Sequence, residues 1–444
     1  MFKTLLNSLI LAVLLPHSLL ATNPNTVIGI VTDENPATIN SPYFLALSPN
    51  GQKMYVSNLG NNTVSIVDVA TNTVTGLVSD PNSTFHSNYG VVFNPNGQTA
   101  YVMNSGSSPR SISIIDTTTN AVTGTINTTA AALSDPFTMA ITPNGNYGYV
   151  SGGFYITVVD LLTNATTQNI TLPVTDEVVS IAITPDGTTA YACLYGGQLY
   201  AIDLATNTIV ATVTGTFSNG YGSAITPDGT TLYIANANLN SVSIVDIATN
   251  AQTGTVTDLN PATINFPFAL ALTPDGSTLY VVNDSGQSVS IVDTATNMVT
   301  GTVTDLNPPT FDGPIDMVVA PDGATGYVLS TSNNTISIVY ITTPILPPNN
   351  FTGCTSQDVF LFQEDLINIL SWNSPSGGTA PASYKIYSNT GLTQLVATVS
   401  ASGPLQYIDH NRSANTIYSY YIVSIDAQSD VSSPASVTVT QSCS

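Results

Sequence analysis

Short runs in which β-branched and aromatic residues alternate with Ser, Thr or Gly follow one another along most of the chain. They are interrupted only by Pro-Asp/Asn-Gly and Asp-x-Ala-Thr-Asn punctuation. The stretch from Phe268 to Thr304 shows the unit: FALALT, TLYVVN, SVSIVD and MVTGTVT. A period near two predicts four β-strands, and no window carries a 3.6-residue helical period. Pro-Asp-Gly supplies turn conformations for a first hairpin, and Asp-x-Ala-Thr-Asn those for a third.

The unit repeats. Its Pro-Asp/Asn-Gly turn and following tyrosine recur seven times, in segments beginning at Ser48, Asn94, Thr142, Thr184, Thr226, Thr273 and Ala320, spaced 42 to 48 residues apart. Four strands per period of this length predict an all-β, seven-bladed β-propeller. Calling the four strands a to d, the seventh unit lacks its d strand. TISIVYI runs into TTPILPPNN, with Tyr340 where six units have Asp, and prolines end strand pairing. The opening stretch Asn25–Asp33 aligns with Asn297–Asp305. The first strand is therefore expected to close the ring as the outer strand of the last blade.

The tetrapeptides YVSN at Tyr55, YVMN at Tyr101, YIAN at Tyr233 and YVVN at Tyr280 resemble those of the YVTN-repeat β-propeller family, over residues 22–342. Blades 3 and 4 depart from the motif, with YVSG at Tyr149 and YACL at Tyr191. The resemblance implies a secreted or surface-layer protein with a binding role, and names no ligand. After a Pro-rich linker (343–352), residues 353–444 resemble a fibronectin type III-like sandwich. ILSWNSP would place Trp372 on its second strand, Tyr418 would be the corner tyrosine, and Tyr420 and Ile422 would point inward. In such a sandwich the first and last strands bring Cys354 and Cys443 to the same pole. A disulfide there is expected, worth about 4 kcal/mol in an oxidising compartment. Cys193 reads as a small buried hydrophobe.

Residues 1–21 form a secretory leader: Lys3, then an apolar run, then cleavage after Ala21. No later stretch is apolar for 18 residues, so no transmembrane segment is expected. The protein should be secreted or held at the cell surface, or periplasmic. Only 7% of its 444 residues are charged, 5 basic against 27 acidic. That balance excludes nucleic acid, which needs Lys and Arg to neutralise phosphate.

Chemistry is expected on the face shared by the d–a and b–c loops. Tyr43, Tyr89, Phe137, Tyr221 and Phe268 occupy one column where strand a begins, broken by Val179 and Ile315; they are candidate ligand-binding residues. His86 and Arg110 are the one cationic grouping, a candidate for a carboxylate contact. Asp33, Asp80, Asp258 and Asp305 at the d-strand ends, joined by Asp135, Asp176, Glu177, Asp284 and Asp316 among others, form an acidic rim that could hold Ca²⁺. The Asp sets of the a–b and c–d turns are read as turn caps. Few catalytic groups are legible: the propeller carries one histidine, no zinc-type cluster and no nucleophilic triad. The main expectation is therefore a non-catalytic binding or adhesion protein for a protein or carbohydrate partner. The alternative is a lactonase-like or other hydrolase with a carboxylate-rimmed site.

Overall fold

The computed structural model describes residues 24–33, 38–106, 110–127, 135–259, 263–306, 309–341 and 348–440, the last apart from short breaks at 361–362, 376–380, 390–391, 411, 414–415, 426–431 and 433. Residues 1–21, half of the expected linker and Cys443 lie outside these residues. Seven four-stranded antiparallel sheets follow one another along residues 26–340. Blade 1 spans Pro42–Leu77, blade 2 Asn88–Asn127, blade 3 Met139–Thr171, blade 4 Val178–Thr212, blade 5 Gly222–Thr255, and blade 6 Pro267–Thr302. The inner strands touch in sequence from blade 1 to blade 7, and blade 7 touches blade 1, so the ring is closed.

Blade 7 contributes only three strands of its own, Pro314–Val319, Thr325–Ser330 and Thr335–Tyr340. Its fourth is the first strand of the chain, Thr26–Ile30, paired antiparallel with Thr335–Tyr340 through Thr26–Tyr340 and Val27–Val339. The expected closure is thus present, and it removes the unpaired edge at the join.

The core is divided into seven wedges, one at each junction between blades. Between blades 1 and 2, for example, Tyr55, Val64 and Ile66 meet Phe93, Val102 and Ile115. Each b strand is sandwiched on both faces, which is why it reads as a nearly unbroken apolar run. The outer d strands alternate exposed and half-buried residues and are mostly Thr and Gly.

The tyrosine of the repeat is at most 2% exposed in every blade. Its hydroxyl must find a partner, and in six blades it donates to the last Asn of a c–d turn, or its counterpart Asn25, in the next blade. The bonds are Tyr55–Asn120, Tyr149–Asn207, Tyr191–Asn250, Tyr233–Asn297 and Tyr327–Asn72, at 2.6–2.9 Å, and Tyr280–Asn25. Tyr101 in blade 2 has Asn94 as its hydrogen-bond neighbour. The accepting asparagines have φ between 52° and 56°, a left-handed conformation that Asn adopts at low cost. The preceding Asp caps the same turn: Asp68 accepts from the Thr71 N–H at 2.8 Å, and Asp116, Asp160, Asp203, Asp246 and Asp293 do likewise. Asn25 places the chain's first strand in this same scheme, so the closing strand is held at the junctions on both of its sides.

Asp316, on the inner strand of blade 7, crosses the last junction. The Leu45 N–H of blade 1 donates to its Oδ2 at 3.0 Å and the Met317 N–H to its Oδ1 at 2.9 Å. Burial pushes this carboxyl up to about 6.

The C-terminal residues form two further sheets. One joins Asn349–Phe360, Gln363–Asn373 and Gln406–Asp409; the other runs in the order Leu395–Ser400, Ser383–Tyr387, Tyr418–Ile425, Ala435–Val439. Trp372, Tyr384, Tyr420 and Ile422 share its core. The Tyr418 hydroxyl accepts from the Ser413 N–H at 2.9 Å, and the Tyr420 hydroxyl donates to Asp409 at 2.6 Å. The first strand continues past Cys354 to Phe360, and Val359 and Phe360 pair with Glu364 and Gln363.

Two outcomes follow for the ring. Tyr327→Phe removes the hydroxyl that ties blade 7 to blade 1 and costs about 1 kcal/mol, lowering the melting temperature by about 2 °C; an unchanged calorimetric midpoint would refute that role. Asp316 binds its proton more tightly folded than unfolded, so its contribution to stability falls as pH rises from the ordinary carboxylate range to about 6 and then levels off. Asp316→Asn should flatten this slope, so the difference in melting temperature should move in the variant's favour between pH 4 and pH 8, on top of a constant offset because the amide meets one of the two N–H groups with a donor. Parallel melting curves across that range would contradict the assignment.

Candidate functional site

The d–a and b–c loops gather at one end of the ring and surround a cavity of about 430 Å³. Its walls are aromatic. Tyr43, Tyr89 and Phe137 begin the inner strands of blades 1, 2 and 3 and pack edge-on or tilted, with centroids 5.1–5.9 Å apart. Opposite them, Tyr221 stacks on Phe268 at 4.5 Å and meets Tyr195 edge-on at 6.3 Å. Of the five aromatic residues in the sequence column, four line the cavity and Phe268 stands behind Tyr221. Val179, where blade 4 breaks the column, also lines it. Val179 and Ile315 are the two smaller side chains of the column, and of the two it is Val179 that borders the space between the walls.

Phe154 and Tyr195 line the cavity too, and the sequence reading passed over both. They lie on the b–c loops of blades 3 and 4, the blades that depart from the repeat. In blades 1, 2, 5 and 6 the last residue of the motif is a buried asparagine: Asn58, Asn104, Asn236 or Asn283. Its side-chain amide donates to Ser65, Ser113, Ser243 or Ser290 at 2.8–2.9 Å. In blades 1, 5 and 6 its oxygen also accepts from the d–a loop, from the N–H groups of Asn40, Ser218 and Asn265. Blades 3 and 4 carry Gly152 and Leu194 in this slot, followed by Gly153 and by Tyr195-Gly196-Gly197. The departures, readable as departures, were the available signal.

Between these two loops sits Glu177. The Tyr195 N–H donates to its carbonyl at 2.9 Å, and the adjacent Val178 N–H donates to Gly153 at 3.0 Å. Its carboxyl is raised above the usual range, first by desolvation against the cavity wall and then by the Asp135 and Asp176 carboxylates. Burial pushes the Tyr43 hydroxyl up to about 12, with Tyr89, Tyr221, Asp284 and Glu177 adding to the shift. Tyr43 is therefore a neutral donor at ordinary pH.

The remaining candidates are placed as follows. Arg110 is engaged by Asp135: its Nε donates to Oδ1 at 2.8 Å and a second guanidinium nitrogen forms an ion pair with it. His86 is exposed on its loop and is not among the cavity-lining residues. The four d-strand aspartates hold their own d–a loops. Asp33 accepts from the Ile39 N–H, Asp80 from Phe85, and Asp258 from Ile264, at 2.9–3.1 Å. Asp305 accepts from Thr310 and Phe311 at 2.8 and 2.9 Å. Spread over separate blades, these carboxylates are loop caps, and among the described residues no three His, Cys, Asp or Glu side chains cluster as metal ligands would. Cys193 is fully buried and its thiol is pushed up to about 12 by burial, which makes it inert.

Comparison with known proteins places the propeller in a family. The chain is similar to hydrazine synthase of Kuenenia stuttgartiensis, with a TM-score of 0.58 and 22% identity over 68% of this chain and 96% of that one, a likeness of fold. A segment of 46 residues is 50% identical to a PE-PGRS family protein of Mycobacterium tuberculosis, covering 10% of each chain. No helix among the described residues is long and apolar enough to cross a membrane. The family model "Lactonase, 7-bladed beta-propeller" matches residues 31–320, well over half the chain. With the closed ring of seven four-stranded blades, that match makes the protein a member of the seven-bladed β-propeller lactonase family.

Proposed function

We propose that the cavity receives a hydroxylated ring of the sugar-lactone class and that Glu177 serves as general base for its hydrolysis. The observation that carries the reading is the cavity itself: two aromatic walls, with Val179 between them and two carboxylates at its edge, Asp135 paired with Arg110 and Glu177 not. The apolar face of a sugar ring stacks on Tyr and Phe, while hydroxyls bond to carboxylates and phenols at the rim. Glu177 takes a proton from water as the water oxygen attacks the ester carbonyl. The ring C–O bond then breaks, and the proton returns to the leaving oxygen, giving the open hydroxy acid. The raised carboxyl brings Glu177 closer to the pH at which it exchanges protons readily. Family membership favours this reading over pure adhesion.

A second reading has its own support. Among the described residues no metal-type cluster accompanies Glu177, and Arg110 is already paired, so the same cavity could bind a saccharide without turning it over. Hydrolysis of glucono-1,5-lactone in a pH-stat separates the two. Glu177→Gln should lower kcat by about 100-fold or more while leaving binding intact. Val179→Phe, which puts an aromatic side chain where five blades already hold one, should abolish binding; Val179 is only 4% exposed, so a melting curve checks that the variant still folds. Binding without turnover above the spontaneous rate would leave the non-catalytic reading; turnover untouched by Glu177→Gln would remove Glu177 from the mechanism.

The wider setting is proposed on the leader and the C-terminal module. The two sheets, with the Tyr418 hydroxyl bonded five residues upstream, support a fibronectin type III-like domain that spaces or anchors the propeller outside the cell. A Cys354–Cys443 disulfide would close it. Intact-mass analysis of protein from the culture medium should show residues 1–21 missing and two hydrogens fewer than the reduced chain. A full-length or fully reduced mass would overturn the leader or the disulfide respectively.

A further inference from the structure

We infer that Phe154 and Tyr195 form an outer subsite for a second ring, so that the cavity takes the end of a saccharide of two or more units. The inference rests on the reading of the cavity as a sugar site. Large aromatic side chains are normally covered, yet Phe154 is 54% and Tyr195 48% exposed, and both border the same cavity. They are not strays on mobile turns. Tyr195 is fixed by its N–H bond to Glu177, and the loop behind it by the Gly196 N–H donating to Asp176 at 2.6 Å. Gly197 (φ 91°) brings the backbone against the Phe217 carbonyl, where any side chain would collide. Gly152 and Gly153, with φ of 126° and 68°, set the path that presents Phe154.

Tyr195 also touches Tyr221, so a strip of rings leads from the inner wall out to the lip. One ring held between the walls leaves this strip beyond it uncovered, at the place where a linked second ring would emerge. The acidic groups along the path, Glu177, Asp176 and Asp135, accept hydrogen bonds from hydroxyls and repel anions, and Arg110 is engaged by Asp135. The chemistry selects a neutral, hydroxyl-rich chain over a sugar phosphate or a uronic acid.

Calorimetric titration of the full chain with matched sugars tests this: glucose against cellobiose, N-acetylglucosamine against chitobiose, and mannose against mannobiose. In the pair that fits, the disaccharide should bind about tenfold more tightly, the worth of one added stacked ring. Phe154→Ala and Tyr195→Ala should bring that ratio to about one, weakening the disaccharide about tenfold more than the monosaccharide. Both side chains are exposed, so neither change should unfold the protein, and unaltered melting curves confirm it. Monosaccharide binding with no disaccharide advantage, or an advantage that survives the double variant, overturns the subsite and leaves the inner site standing. Failure of every sugar to bind overturns the inner site, and the subsite with it.

Discussion

Everything in the propeller depends on a hydrogen bond made across a junction: a buried tyrosine hydroxyl donating to an asparagine in the neighbouring blade. A four-stranded sheet buries both faces of its b strand only when two others flank it, so no blade is stable alone. The apolar wedge between blades supplies attraction but little direction. A phenol that must be satisfied at one point, by an asparagine fixed in a left-handed turn, sets the angle and register of each blade against the next. The closing strand enters by the same rule, because Asn25 accepts from Tyr280 as its counterparts in other blades do. The chain therefore closes through the contact type used at six of the seven junctions, with Asp316 as a further tie at the seam.

This explains what could be read in advance. A contact repeated around the ring leaves a repeated trace, so blade number, strand order and closure were legible from Tyr, Asp and Asn spacing alone. The aromatic column was legible for the same reason. Phe154, Tyr195 and the cavity were not. Each occurs once, in a loop without period, and a residue seen once carries no internal comparison. Glu177 could be placed on the correct face but not told apart from other rim carboxylates, since its distinction is the desolvation and neighbouring charge it meets there. The length of the first C-terminal strand was not legible either, because its extension to Phe360 rests on pairing with Gln363–Asn373, which leaves no repeat in the sequence.

The carboxylates of the acidic rim have a structural role in the ring. Asp33, Asp80, Asp258 and Asp305 receive the N–H groups of the loop that follows, each holding its own d–a loop. They are one residue type in one repeat slot, and they behave as the turn aspartates do. Glu177 differs in occupying a slot that the other blades fill otherwise, beside a cavity.

Structural and functional residues are thus separated by whether they keep or break the repeat. In blades 1, 5 and 6 the buried asparagine ties the b–c hairpin to the d–a loop. Where blades 3 and 4 give it up, glycines reroute the loops, aromatic side chains turn outward, and a valine replaces an aromatic ring. Losing these ties costs stability locally, and the other junctions make that loss tolerable because each holds independently of its neighbours. A ring built from equivalent contacts can surrender one sector to a ligand without opening, and the sector it surrenders here is the one bounded by Phe154, Glu177 and Tyr195.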